Sequence, residues 1–139
     1  KVEILDLQFH SSPENTRAIL GSYKAEAKQF VMVFGLVFDT IYPLVYGFLF
    51  IVTGCLVFRK RKEQFPWLFY LPLLPLLIIV VDYAENINIA SLLYSFPAVS
   101  DLHIEVTSTF SSLKWILVFV EALLLIGGLI WALLPLKQK

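Results

Sequence analysis

Cysteine is almost missing from this chain: one residue, Cys55, in 139. An intrachain disulfide is therefore excluded, and so is any cysteine-based metal cluster. Cys55 sits inside a hydrophobic run, where a small packing residue is expected. Charge is scarce too. Only 16% of residues are Asp, Glu, Lys or Arg, against about a quarter in soluble domains. Eleven basic residues balance eleven acidic ones, so net charge points to no nucleic acid and no acidic partner. No glycine-rich phosphate loop appears, no serine stands in a nucleophile turn, and no segment repeats. No Glu-x-x-His or His-x3-His pair supports a metal site, although His10 and His103 belong on one side with several carboxylates. Neither a metal nor a cofactor is expected.

Apolar sequence is abundant. AVILMFWYC residues make up 58% of the chain and mean hydropathy is +0.77, which places it in the membrane class. The organising stretch is Trp67 to Asn88. Its first part, through Val81, carries no charge, and then Asp82, Glu85 and Asn86 arrive together at i, i+3 and i+4, on one helical face. A helix this apolar needs lipid or a large core, and a chain this short cannot build such a core.

Three apolar spans are expected, over residues 30–58, 66–96 and 105–135. Residues 1–29 read as an extracytoplasmic or interfacial segment. Lys1 to Phe9 alternates loosely, as a short extended stretch on a surface would. Ser12 then caps a helix with Pro13 at its first position and Glu14 at its positive end. Gly21 is expected to end that helix and Ser22 to cap the next. Pro72 and Pro75 are expected to bend the second span, and Pro97 to His103 reads as a polar turn. Trp67, Tyr70, Tyr94 and Trp131 suit interface anchors, and Gly127-Gly128 with Ala132 offers a small-residue face for close packing.

Arg59 to Lys62 form one basic cluster between two spans, and Lys137 and Lys139 end the chain. The positive-inside rule puts both in the cytoplasm, in a bacterial plasma (inner) membrane. The segment before Phe30 holds four basic and four acidic residues and does not contest that orientation. At a rise of about 1.5 Å per residue, Asp39, Asp82, Glu85, Lys114 and Glu121 lie roughly 21–31 Å from the cytoplasmic ends of their helices. They fall in the outer third of a hydrocarbon core about 30 Å thick. Asp39, Pro43 and Tyr46 share one face of the first span, and Thr107, Ser111, Lys114 and Glu121 share one face of the third. Four carboxylates against one lysine call for relief: protonation, a bound cation, or Arg17, Lys24 or Lys28 folded over the site. An intramembrane acidic group is a functional-site candidate by default, against the alternative of a structural polar network. The ligand-binding candidates are Asp39, Tyr46, Asp82, Glu85, Asn86, Ser111, Lys114 and Glu121.

Asp6-Leu7-Gln8-Phe9 followed by Ser12-Pro13-Glu14, then Asp39-x3-Pro43-x2-Tyr46, then Asp82-x2-Glu85-Asn86, resembles a family of small, uncharacterised bacterial integral membrane proteins. The resemblance runs over most of the chain. It implies one further transmembrane helix ahead of the Asp-Leu-x-Phe stretch, hence a four-helix parent with both termini in the cytoplasm, and it supplies no activity.

The expected fold is an all-α polytopic membrane bundle with an outer interfacial helix. Three functions fit it. One is a binding protein or accessory subunit whose acidic pocket receives a lipid head group, a cationic ligand or a partner's basic residue. Another is a membrane enzyme at the outer-leaflet boundary with Asp82 and Glu85 as acid and base. The third is a proton- or cation-coupled carrier, which at this size must form a homo-oligomer. The first is preferred, since no nucleophile, cofactor motif or repeat argues for the others.

Overall fold

Long apolar runs with few charges favour helix, and that is what forms. In the computed structural model, which describes residues 5–59 and 65–134, the elements are α1 (Pro13–Ser22), α2 (Ala25–Phe58), α3 (Leu74–Ser95) and α4 (Asp101–Leu133). The described residues contain no strand. The ranges Lys28–Phe58, Pro66–Ser95 and Asp101–Leu133 are each long and apolar enough to cross a membrane. Lys60 to Lys62 of the basic cluster, Lys137, Lys139 and the first four residues lie outside the described residues.

The packing is polar inside and apolar outside. The buried positions of α4 are Ile104, Thr107, Ser108, Ser111, Lys114, Glu121 and Gly128, mostly polar or small. Many of its large apolar side chains, among them Phe119, Ile126, Ile130 and Leu133, are more than half exposed. Only 22%, 33% and 11% of the most apolar windows of the three spans are covered by protein. Such a surface is stable against lipid and not against water.

An apolar cluster closes the end of the bundle where the N-terminal segment sits. Leu5, Ile19, Leu20 and Tyr23 pack there with Leu92, Leu93, Val99 and Ile104. Burial pushes the Tyr23 phenol above its ordinary pKa, so it stays neutral. Hydroxyls stitch this cap to α4: the Ser11 N–H donates to Ser108 Oγ at 2.8 Å, and Ser112 Oγ donates to the Phe9 carbonyl at 2.8 Å. His10 Nδ1 lies 2.8 Å from Ser108 Oγ.

Several boundaries differ from those the sequence predicts, each for a local reason. Leu5–Leu7 is a 3-10 turn rather than extended chain, and Leu5 is buried. Ser12 caps α1 as expected, accepting from the Asn15 N–H at 3.3 Å with Pro13 in the first turn. Helix α1 continues past Gly21 to Ser22, whose hydroxyl turns back to donate to the Ile19 carbonyl at 2.7 Å. Lys24, not Ser22, therefore takes the position before α2, and extended backbone at Tyr23 and Lys24 separates the two helices. Pro72 and Pro75 do not bend a helix from within. They fall in the first turns of Leu71–Leu73 and of α3, where a missing N–H costs nothing, and 3-10 turns lead in from Pro66. Helix α4 starts at Asp101, inside the expected polar turn, because Ser100 caps it by accepting from the His103 N–H at 3.2 Å. The Phe96–Pro97 bond just before it is cis. Cys55 is exposed rather than packed. Of the glycine pair, Gly128 is buried: a Cβ there would lie 2.6 Å from a Phe58 ring carbon, whereas one on Gly127 would meet nothing.

Candidate functional site

The spacing Asp39-x3-Pro43 has a backbone consequence. Pro43 lies inside α2 and has no N–H, so the carbonyl four residues earlier, that of Asp39, loses its helical donor. Partly buried between helices, that oxygen needs another. Asn86 of α3 supplies it, its Nδ2 donating to the Asp39 carbonyl at 3.2 Å. The same Nδ2 donates to Asp82 Oδ1 at 2.9 Å, one turn away on α3. Tyr83 adds a second clamp to the α2 main chain, donating to the Thr40 carbonyl at 2.6 Å. The proline of one helix and the polar triplet of the next therefore form one unit.

The carboxylates divide into two environments. Glu85 is fully buried, and its Oε2 lies 2.6 Å from Lys114 Nζ, whose side chain is 6% exposed. Ser111 Oγ donates to the other oxygen, Oε1, at 2.5 Å. The Glu85 carboxylate thus faces a cation and a hydroxyl donor on α4, both placed by the Ser111-x2-Lys114 spacing on one helical face. Lys114 Nζ also lies 5.5 Å from the centroid of the Trp115 ring.

Asp82 faces α2. Tyr46 donates its phenolic hydrogen to Asp82 Oδ2 at 2.5 Å, and Asn86 holds the other oxygen. Asp82 is 6% exposed, yet it lines a cavity of about 200 Å³. Asp39, Tyr42, Tyr46 and Phe50 of α2 form one wall of this cavity, and Lys114, Trp115 and Val118 of α4 form the other. Tyr42, Tyr46 and Phe50 make a ladder along α2, with ring centroids 5.2 and 5.8 Å apart. A second cavity, of about 350 Å³, lies between α2 and α3, and Asp39 lines both. Leu5 lines the larger one and Leu7 the smaller, so the first 3-10 turn borders both.

Seven of the eight candidates read from the sequence therefore meet: Asp39, Tyr46, Asp82, Glu85, Asn86, Ser111 and Lys114. Glu121 does not join them. It is buried at 2% exposed, two helical turns beyond Lys114, while the Lys114 ammonium pairs with Glu85. The N-terminal cations do not cover the site either. Arg17 lies 2.6 Å from Asp101 and donates to the Val99 carbonyl at 3.0 Å. Lys28 sits 4.4 Å above the Phe96 ring, and Lys24 is exposed before α2. The described residues hold no group of three or more His, Cys, Asp or Glu arranged around a metal. The rings of Tyr42, Phe50 and Trp115 were not among the candidates. Tyr42 stands three residues after Asp39, Phe50 four after Tyr46 and Trp115 directly after Lys114, a nearness that would have found them.

Comparison of the chain with protein-family models, with curated proteins and with solved structures finds no match.

Proposed function

We propose that this chain is a multi-pass protein of the bacterial plasma membrane that binds the polar head of a lipid or other amphiphile in the cavity between α2 and α4. Arg59 and the C-terminus face the cytoplasm in this reading, and the cavity lies in the outer third of the bilayer. The observation that carries it is the contrast between two carboxylates three residues apart. Glu85 is closed off by Lys114 and Ser111, as a structural ion pair would be. Asp82 is held by Tyr46 and Asn86 at the wall of a cavity, as a binding group would be. The same contrast favours binding over acid–base catalysis by the two carboxylates together, since Glu85 does not line the cavity. A role as accessory subunit in a larger membrane complex is compatible with the apolar outer faces of α2 and α4.

The test is retention of ligand. Val118 lines the cavity and is half-buried, so Val118→Phe fills it while leaving the polar network intact. In native mass spectrometry from mild detergent, the wild type is expected to keep a bound amphiphile that Val118→Phe loses, with equal helical content in both. Equal retention by the two proteins refutes the reading.

A further inference from the structure

We infer that the cavity between α2 and α3 is a second site, separate from the pocket between α2 and α4, and that it takes a segment of one acyl chain of a bilayer lipid. This goes beyond the reading above and does not rest on it. Size comes first. The cavity holds about 350 Å³, against about 200 Å³ for its neighbour. It falls within the roughly 300–1,000 Å³ of small-molecule sites, and an engineered apolar hole of about 150 Å³ already binds benzene. Gly35 lines it without contributing a side chain, which keeps the α2 wall low.

Two fillings compete, water and hydrocarbon. A water in a cavity needs about two to four polar partners. The polar groups of this lining gather at the end away from the N-terminal cap, Asp39 and Thr40 on α2 with Tyr83 and Asn86 on α3. There they are turned to one another: Tyr83 donates to the Thr40 carbonyl at 2.6 Å and Asn86 to the Asp39 carbonyl at 3.2 Å. Toward the cap the lining is Val31, Ile89 and Leu93, and most of the surface the cavity presents is carbon. Hydrocarbon suits that surface and water does not. Access then selects the source. Leu5, Tyr23 and Leu93 line the cavity and also belong to the apolar cluster that closes this end of the bundle, so the cap stands between the cavity and the aqueous phase. Sideways the lining includes Ile87, which is 70% exposed, and the exposed Thr40. Both lie in ranges long and apolar enough to cross a membrane, so this opening continues the lipid-facing surface of α2 and α3. What can enter there is a lipid chain.

The test is a photolabelling map. The full chain is reconstituted in phosphatidylcholine nanodiscs doped with a phosphatidylcholine that carries a diazirine on one acyl chain. After illumination the adducts are located by mass spectrometry. Lipid around the bundle reaches exposed side chains such as Val80, Ile116 and Phe119. A chain inside the cavity also reaches Leu93, which is 5% exposed, and the half-buried Val31 and Ile89. Adducts are expected at these three positions at least as often as at the exposed three. Val31→Phe, Ile89→Phe or both, which add bulk inside the cavity, should cut the Leu93 adduct at least fivefold. Val80→Phe, on the lipid face, should leave it unchanged. Val118→Phe should also leave it unchanged, because that residue lines the other cavity. The wild-type map decides should the cavity variants fail to keep their helical content. Adducts confined to exposed residues, a Leu93 adduct undiminished in both cavity variants, or its loss in Val118→Phe overturns the inference. This map can fail while the native mass spectra still show an amphiphile displaced by Val118→Phe, and the reverse, so the two readings fall separately.

Discussion

Replacing Lys114 by methionine tests whether the Glu85–Lys114 pair is as dry as its geometry indicates. The two side chains are 0% and 6% exposed and their charged atoms are 2.6 Å apart. At an effective dielectric of about 20, the gross attraction at that distance is about 6 kcal/mol, much of it offset by desolvating both ions. Methionine matches the length of lysine and packs adaptably, so the change is mainly one of charge. What remains is a buried carboxylate without its cation, a defect that typically costs about 3–5 kcal/mol. The Ser111 hydroxyl still donates to Glu85 Oε1, which places the expected loss near the lower end, about 3 kcal/mol. For a chain of this length that is a fall of about 10 °C in melting temperature, read by circular dichroism in detergent. The double variant Lys114→Met/Glu85→Gln removes both charges and keeps an acceptor for Ser111. It should return to within about 1 kcal/mol of wild type, leaving a coupling energy of about 2 kcal/mol or more. If Lys114→Met melts within 1 °C of wild type, the ammonium is solvated, the pair is not buried, and the division between a structural and a binding carboxylate collapses.

Two further outcomes are expected. With Cys55→Ser as background, a cysteine at the exposed Arg59 should react with impermeant maleimide only from the cytoplasmic side, and one at Ser100 only from outside; the reverse pattern refutes the orientation. Gly128→Ala should destabilise by about 1–3 kcal/mol, because its Cβ would fall 2.6 Å from the Phe58 ring, whereas Gly127→Ala, with open space around it, should melt like wild type.

The sequence made the bundle legible because lipid demands long apolar helices, and length and composition alone reveal them. The polar residues were legible for the same reason, since each stands out against an apolar background. Periodicity then put Asp39, Pro43 and Tyr46 on one face, and Asp82, Glu85 and Asn86 on another, and both faces meet as expected. Partner choice was not legible. Lys114 shares a helical face with Glu121 by sequence, but α3 and α4 run antiparallel and bring Glu85 to it. Nor could the aromatic wall be separated from ordinary interface anchors, because an exposed tyrosine reads the same whether it borders lipid or a cavity. The helix ends shifted by a few residues where a local side-chain bond decided them: Ser100 caps α4, and Ser22 turns back to the Ile19 carbonyl.

The clamp between Asn86 and α2 has a consequence for how the site can change over time. Asn86 grips residue 39 by its main-chain oxygen, and Tyr83 grips residue 40 the same way. Every amino acid carries that oxygen, and Pro43 is what leaves the one at position 39 without its helical donor. Helix registration therefore draws on Pro43, Asn86 and Tyr83 together with a main-chain oxygen that any residue at position 39 would supply. Position 86 is bound to two tasks at once: the asparagine that aligns the helices also orients Asp82, so architecture and recognition must change together there.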